Sequence, residues 1–252
     1  MKIENGRTDK VKIVGNCVNG KKDGTWISFY TRLNLIEFSD YKNGIKDGEY
    51  IEKYSNQKIR LSGNYIAGRK EGKWVEKDNG GAVERETTYV NGLKEGKFTK
   101  SRNEKMYESG NYKNGLRSGM CVTYNDNGSL CVNGNYIAGK RDGKWVYNNP
   151  DGTVESEITY VNGKFNGLSV EYRDGAILSE TTYVMGVKNG KYRELYKDGT
   201  VSFEGAHLNN EWDGLETWYE KDGSKSEQRT IVDGKTLKGS FRIWKNGHLK
   251  IA

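Results

Sequence analysis

The feature that most constrains this chain is a glycine that returns every 23 or 24 residues. It stands at Gly20, Gly44, Gly68, Gly92, Gly115, Gly139, Gly163 and Gly186, then, past Asn210, at Gly234. A second glycine follows four residues later, at Gly24, Gly48, Gly72, Gly96, Gly119, Gly143, Gly167, Gly190 and Gly214, and slips by one in the tenth copy to Gly239. Three residues before the first glycine stand Tyr41, Tyr65, Tyr89, Tyr112, Tyr136, Tyr160 and Tyr183. Two residues after the second come Trp26, Tyr50, Trp74, Phe98, Trp145, Tyr192 and Phe241. A period of this length marks a module stacked on copies of itself. Residues 62–102 also match 133–173 at an offset of 71, three modules, as a recent duplication would leave.

Each module reads as two short strands. Runs such as Trp26-Ile27-Ser28-Phe29-Tyr30 and Trp145-Val146-Tyr147 suit a pleated surface. They lead to Asn79-Gly80, Asn127-Gly128, Asp151-Gly152, Asp174-Gly175, Asp198-Gly199, Asp222-Gly223 and Asn246-Gly247, the pairs expected to make two-residue hairpins with both central residues at positive φ. The paired glycines are then expected to turn the chain into the next module. No window sustains a 3.6-residue apolar period over a helix's length. The expected fold is all-β: an elongated, single-layer antiparallel meander of about ten β-hairpin repeats of 23–24 residues, adding roughly 9–10 Å per module. It is expected to run as one array over residues 1–252, with half-repeat caps at about 1–19 and 246–252. Lys245, His248 and Lys250 would keep the last edge from pairing with another chain.

Such a fold accounts for the composition. Mean hydropathy is −0.90, which alone would suggest disorder, yet 12 % of residues are aromatic and 17 are tyrosine. A thin sheet has little interior per residue, and tyrosine suits a place dry at one end and wet at the other. A single proline, Pro150, fits a chain made of ladders. No run approaches the roughly 18 apolar residues of a membrane span. Met1–Arg7 has no apolar stretch behind its charges, so a cytoplasmic location is expected. Cys17, Cys121 and Cys131 are odd in number and form no CxxC pair; buried reduced thiols are expected, and counting outward from Asn125–Gly128 argues against a Cys121–Cys131 disulfide.

The pattern Gly-x-Trp-x-x-aromatic followed by Tyr-x-x-Gly-x-x-x-Gly resembles the MORN repeat (membrane occupation and recognition nexus) in its bacterial variant form, over about residues 15–250. The resemblance implies an interaction protein. Eukaryotic members are scaffolds first linked to phospholipid membranes, and bacterial variant members include antitoxin components of toxin–antitoxin pairs.

Chemistry is sparse. The two histidines, His207 and His248, lie about 40 residues apart; His207 replaces the repeat tyrosine, and structural roles are expected for both. HExxH, Cys/His clusters and GxSxG are missing. Gly92–Phe98 mimics a phosphate loop but is one residue short and has Phe98 where Ser or Thr should hold magnesium. Single acids precede the second glycine at Asp23, Asp47, Glu71, Glu95, Asp142 and Asp213, which suits turns and does not suit calcium. No enzyme activity, metal or cofactor is expected.

Charge is more informative. The net charge is +7, and between the paired glycines stand Lys22, Lys46, Lys70, Lys94, Arg117, Arg141 and, after a gap, Lys188. The plain expectation is a solvated edge that resists aggregation; the alternative is a site for anionic phospholipid head groups. Interleaved acids argue against nucleic acid. Phe165 and Trp212 take the basic position in two modules, in what read as turns with no core to enter, and beyond Trp212 the aromatic pair Trp218-Tyr219 is shifted by two. Rings on a rim mark partner surfaces. The sequence thus points to a scaffold that binds a partner protein through one sheet face and an adjoining edge, with Phe165, Trp212, Trp218 and Tyr219 as candidate contacts and an antitoxin or immunity role as the specific form. Its oligomeric state is left open.

Overall fold

The computed structural model describes residues 10–245 and 247–251; the expectations for Met1–Arg7 and for the Asn246 turn lie outside them. The chain divides into two units, Met1–Gly128 and Ser129–Ala252. Among the described residues every ordered element is a strand or a turn. Within each unit the strands pair antiparallel with their neighbours along the chain, as the all-β hairpin meander requires.

The tight two-residue turns lie at the first glycine. Asn43 and Gly44 have φ of 51° and 86°, and positive pairs recur from Asn19-Gly20 to Asp233-Gly234. This is the turn whose twist matches that of the flanking strands. The expected Asn-Gly and Asp-Gly hairpins differ: of those described, only Asp174-Gly175 has both residues at positive φ. At Asn149–Thr153 the Gly152 N–H donates to the Asn149 carbonyl at 2.9 Å while Asp151 Oδ1 accepts from the Thr153 N–H at 2.9 Å. A type I turn ending on a left-handed glycine closes that loop. The second glycine does not turn the chain either. Gly48 (φ 122°) lies inside strand Ile45–Tyr54, where Tyr41 pairs Lys46 but Ser39 pairs Tyr50. Two extra residues sit on one strand: a β-bulge.

One face of each unit carries the rings. In the first unit Tyr50, Trp74 and Phe98 are 3–5 % exposed, and in the second Trp145 is 3 % exposed. Large rings alternate with small partners across the ladder: Trp26 with Ser39, Tyr50 with Gly63, Trp74 with Thr87, Phe98 with Gly110, Tyr192 with Gly205. A Cβ at Gly63 would fall inside the indole of Trp74, one at Gly134 inside that of Trp145, and one at Gly110 would meet Phe98 at 2.9 Å. Phe241 departs from its expected core place and is 37 % exposed. The slipped Gly239 brings Ser240 to the buried position instead.

The turns are stitched together. Gly44, Gly68, Gly92 and Gly115 donate their N–H to the carbonyls of Lys22, Lys46, Lys70 and Lys94 at 2.7–2.9 Å. The acids before the second glycine add to this. Glu71 accepts from the Asn91 N–H at 2.8 Å, Glu95 from Asn114 at 2.7 Å and Asp142 from Asn162 at 3.2 Å. Each of these three acids holds the next module's turn.

Candidate functional site

The repeat tyrosine and the basic residue face each other across the first-glycine turn. Tyr41 pairs Lys46, Tyr65 pairs Lys70, Tyr89 pairs Lys94, Tyr112 pairs Arg117 and Tyr136 pairs Arg141. All seven predicted cations are half-buried. Six lie over rings: Lys22 is 4.5 Å from the centroids of both Trp26 and Tyr41, Lys46 4.4 Å from Tyr50, Lys70 3.8 Å from Trp74, Lys94 5.0 Å from Tyr112, Arg117 5.5 Å from Phe98 and Arg141 4.5 Å from Trp145. Lys188 pairs Tyr183 in the same register. A cation over an aromatic face gains from the ring quadrupole, more so as water is excluded. The solvated edge read from sequence is therefore a half-buried column of rings and cations. Burial draws the Lys70 ammonium below its usual range.

In the first unit, carboxylates continue this column. Glu37 is 5 % exposed and accepts from Tyr30 and Ser39 at 2.8 Å and from Lys46 at 3.0 Å. Burial alone would raise its pKa, but Lys46 and those hydrogen bonds outweigh it and hold it below the carboxylate range. Glu52, 1 % exposed, accepts from Tyr50 and Arg60. Arg60 also reaches Glu76 at 3.2 Å, and Glu76 meets Arg85 at 3.2 Å. Glu108 is held by Lys100 at 2.5 Å and by Arg117, and its pKa is likewise lowered against the effect of burial.

Phe165 and Trp212 are not turn residues without a core. Phe165 pairs Tyr160 within strand Lys164–Arg173, and Trp212 pairs His207 in strand Glu211–Trp212. Both are half-buried in the same ring column. Phe165 lies edge-on to Tyr160 and Tyr183, with centroids 5.0 and 5.2 Å apart. Trp212 stacks on His207 at 3.9 Å and meets Tyr192 and Phe203 edge-on at 5.2 and 5.5 Å. Each exception is compensated four residues on, where the module's usual ring is absent: Ser169 follows Phe165 and Glu216 follows Trp212. The ring has moved across the bulge into the cation's place. Trp218 packs on Phe203 at 4.7 Å beneath Arg229 at 5.0 Å; its shift by two keeps it on the ring face. Tyr219 is half-buried and donates to Glu204. The four candidates thus lie in one sequence stretch of the second unit but not on one spot: Phe165 sits with Tyr160 and Tyr183, and the other three are on neighbouring strands near Phe203.

His207 is 7 % exposed, and its Nδ1 has no hydrogen-bond partner. Burial and then Lys188 lower its pKa, against an opposing pull from Glu216. None of the three cysteines is in a disulfide; Cys121 is buried, but Cys17 is exposed, contrary to the expectation of a buried thiol. Among the described residues no three His, Cys, Asp or Glu side chains converge as metal ligands, and no helix is long and apolar enough to cross a membrane. A shallow recess of about 190 Å³ lies among Thr25, Phe38, Asp40, Glu49, Ile51 and Lys53. Its Asp40 accepts from the Thr25 hydroxyl at 2.7 Å and the Glu49 N–H at 3.1 Å.

Sequence reasoning passed over the residues just outside each tight turn, such as Ile45, Ile66, Leu93 and Leu116, which are 51–54 % exposed. Their signal was in plain sight: in the first unit, one aliphatic or basic residue stands on each side of the Asn-Gly or Ala-Gly pair at every first glycine.

No curated protein matches the chain. Residues 141–162 match the family model of the MORN repeat variant. That stretch runs from the cation Arg141 through the buried Trp145 to Tyr160 and the turn at Asn162, one full passage of the column described above. The chain therefore contains a MORN repeat variant at residues 141–162, and the same ring, cation and glycine positions recur in both of its units.

Proposed function

We propose that this protein is a non-enzymatic repeat scaffold that binds a partner protein through the ring-bearing face and its adjoining edge, in an antitoxin- or immunity-type role. The observation that carries the reading is the row of half-exposed rings on a single-layer face: Phe165, Tyr183, Trp212 and Trp218 in the second unit, with Tyr219 on the same strand as Trp218. Tyrosine and tryptophan dominate interface energetics because they bury large area at little entropic cost. The membrane alternative draws less support. The heads of Lys22, Lys46, Lys70, Lys94, Arg117 and Arg141 lie over rings, and Lys46 and Arg117 also hold buried carboxylates, which limits what they offer to lipid head groups.

The test begins with a pull-down from the native host, which should recover one stoichiometric partner. Because Phe165 and Trp212 also pack, plain truncation would confuse binding with folding. Phe165→Lys with Ser169→Phe, and Trp212→Lys with Glu216→Trp and Arg229→Thr (Arg229 being the ion partner of buried Glu216), return each module to the common pattern and keep a ring in the column. These variants should stay folded and bind the partner at least tenfold more weakly. Unchanged affinity in both would remove these rings from the interface, and a host extract yielding no partner would remove the scaffold reading.

A further inference from the structure

The tight turns of the first unit carry a second, outer row. One residue beyond each column pair (Cys17–Lys22 in the first turn, tyrosine–cation in the other four), and therefore on the opposite face of the sheet, stand Val18 with Lys21, Lys42 with Ile45, Ile66 with Arg69, Val90 with Leu93, and Lys113 with Leu116. Of these ten residues six are aliphatic, four are basic and none is acidic. The aliphatic ones are 43–54 % exposed, and all four basic ones are exposed. Among the described residues none of the four is in an ion pair, whereas the inner cations Lys22, Lys46, Lys70 and Lys94 are each followed at once by an acid. The row is built into the fold. The stem of Lys21 lies 3.6 Å from where a Cβ on Gly44 would be, Ile45 3.1 Å from one on Gly68, Arg69 3.6 Å from one on Gly92, and Leu93 3.8 Å from one on Gly115. Four of the outer residues, Lys21, Ile45, Arg69 and Leu93, thus lean over the bare glycine of the next turn and join the turns into one rail.

We propose that this rail docks an acidic amphipathic helix of a partner protein, an inference that rests on the scaffold reading above and adds a second contact surface to it. The charge is complementary to carboxylates, and the aliphatic stripe is complementary to a leucine-type face. An added strand does not suit this edge, because the turn N–H groups already bind the preceding module's carbonyls. Five turns at about 9.6 Å span about 38 Å, the length of a helix of about 25 residues.

The probe is a 25-residue amphipathic Leu/Glu peptide titrated against the full chain, beside a Leu/Lys counterpart and vesicles containing 30 % phosphatidylserine. The Leu/Glu peptide should bind, more weakly as salt rises, and the Leu/Lys peptide should not. Lys21→Glu, Lys42→Glu, Arg69→Glu and Lys113→Glu together should weaken binding at least tenfold with an unchanged circular dichroism spectrum. Lys42→Ala with Lys113→Ala gives a milder check should the quadruple variant fold poorly, and Ile66→Ser with Leu93→Ser should weaken binding several-fold at any salt. Equal binding of both peptides, or a folded quadruple variant binding like wild type, would overturn the proposal. So would capture of the vesicles through these four side chains without capture of the acidic peptide. A native partner still bound in stoichiometric amount by the quadruple variant would remove the rail and leave the scaffold reading standing; no native partner at all would count against the latter.

Discussion

Residues 62–102 and 133–173 are near copies placed in different units, and they stabilise the same ladder by different chemistry. Both keep the indole at the centre, Trp74 and Trp145, each 3 % exposed, and both keep the outer ion pair, Lys73–Glu86 and Lys144–Glu157, each at 2.7 Å. Beside the indole they part. The first copy has Glu76 between Arg60 and Arg85; the second has Tyr147, whose hydroxyl lies 3.0 Å from that of Tyr160 and accepts from Arg141 at 2.7 Å. One copy holds its neighbours with charge and the other with neutral hydroxyls, since burial and then the Tyr160 hydrogen bond push the Tyr147 phenol upward. Farther on, Lys94 with Phe98 in the first copy becomes Phe165 with Ser169 in the second. The lesson is that the module fixes its tight turn and its bulge, and leaves the positions of the ring column exchangeable.

The largest effects should be those the copies share. Trp74→Ala and Trp145→Ala should each destabilise by about 3–5 kcal/mol in denaturant unfolding; a gap of more than about 2 kcal/mol between them would break the equivalence. Next, Gly63→Ala and Gly134→Ala press a methyl into the same indoles and should each cost about 1–3 kcal/mol.

Smaller again is the acid response, where the units should differ. Glu37 and Glu108 have lowered pKa values when folded, so the first unit keeps their contribution above about 4.5 and loses it as pH falls through the folded values. His207 in the second unit is also lowered, from 6.5, but it is a base. The unfolded chain therefore takes up its proton first, and stability falls as pH drops below about 6.5 until the folded histidine protonates too. Amide exchange corrected for intrinsic pH dependence should show strands around His207 opening in mild acid before those around Glu37. His207→Tyr, the residue other modules use, should abolish that early step. The smallest effect belongs to the outer pair: Lys73→Met and Lys144→Met should each change stability by less than about 1 kcal/mol, because both lysines are largely exposed, and high salt should erase the change.

Much of this was legible in the sequence. Period, strand positions and the buried aromatics at Tyr50, Trp74, Phe98 and Trp145 follow from glycine spacing and alternation alone. The roles of the two glycines were not legible, because a turn and a bulge both ask for positive φ and give the same residue. That ambiguity misplaced Phe165 and Trp212, which seemed to lie in a turn once the paired glycines were assumed to enclose one. The cations were misread for a related reason. A lysine reads as solvated until its register with a tyrosine across a two-residue turn is known, and that register depends on which glycine makes the turn.

The stitched turns have a consequence for how such a chain changes over generations. Within each unit the same bond recurs from module to module, a turn amide (Gly44, Gly68, Gly92, Gly115, Gly163, Gly186 or Asn210) reaching back to the carbonyl of the preceding column residue. Inserting or deleting a whole module demands no new kind of contact, so length itself becomes a heritable variable, as the three-module duplication illustrates. Recognition can then drift in a newly added stretch while the older one continues to hold the sheet.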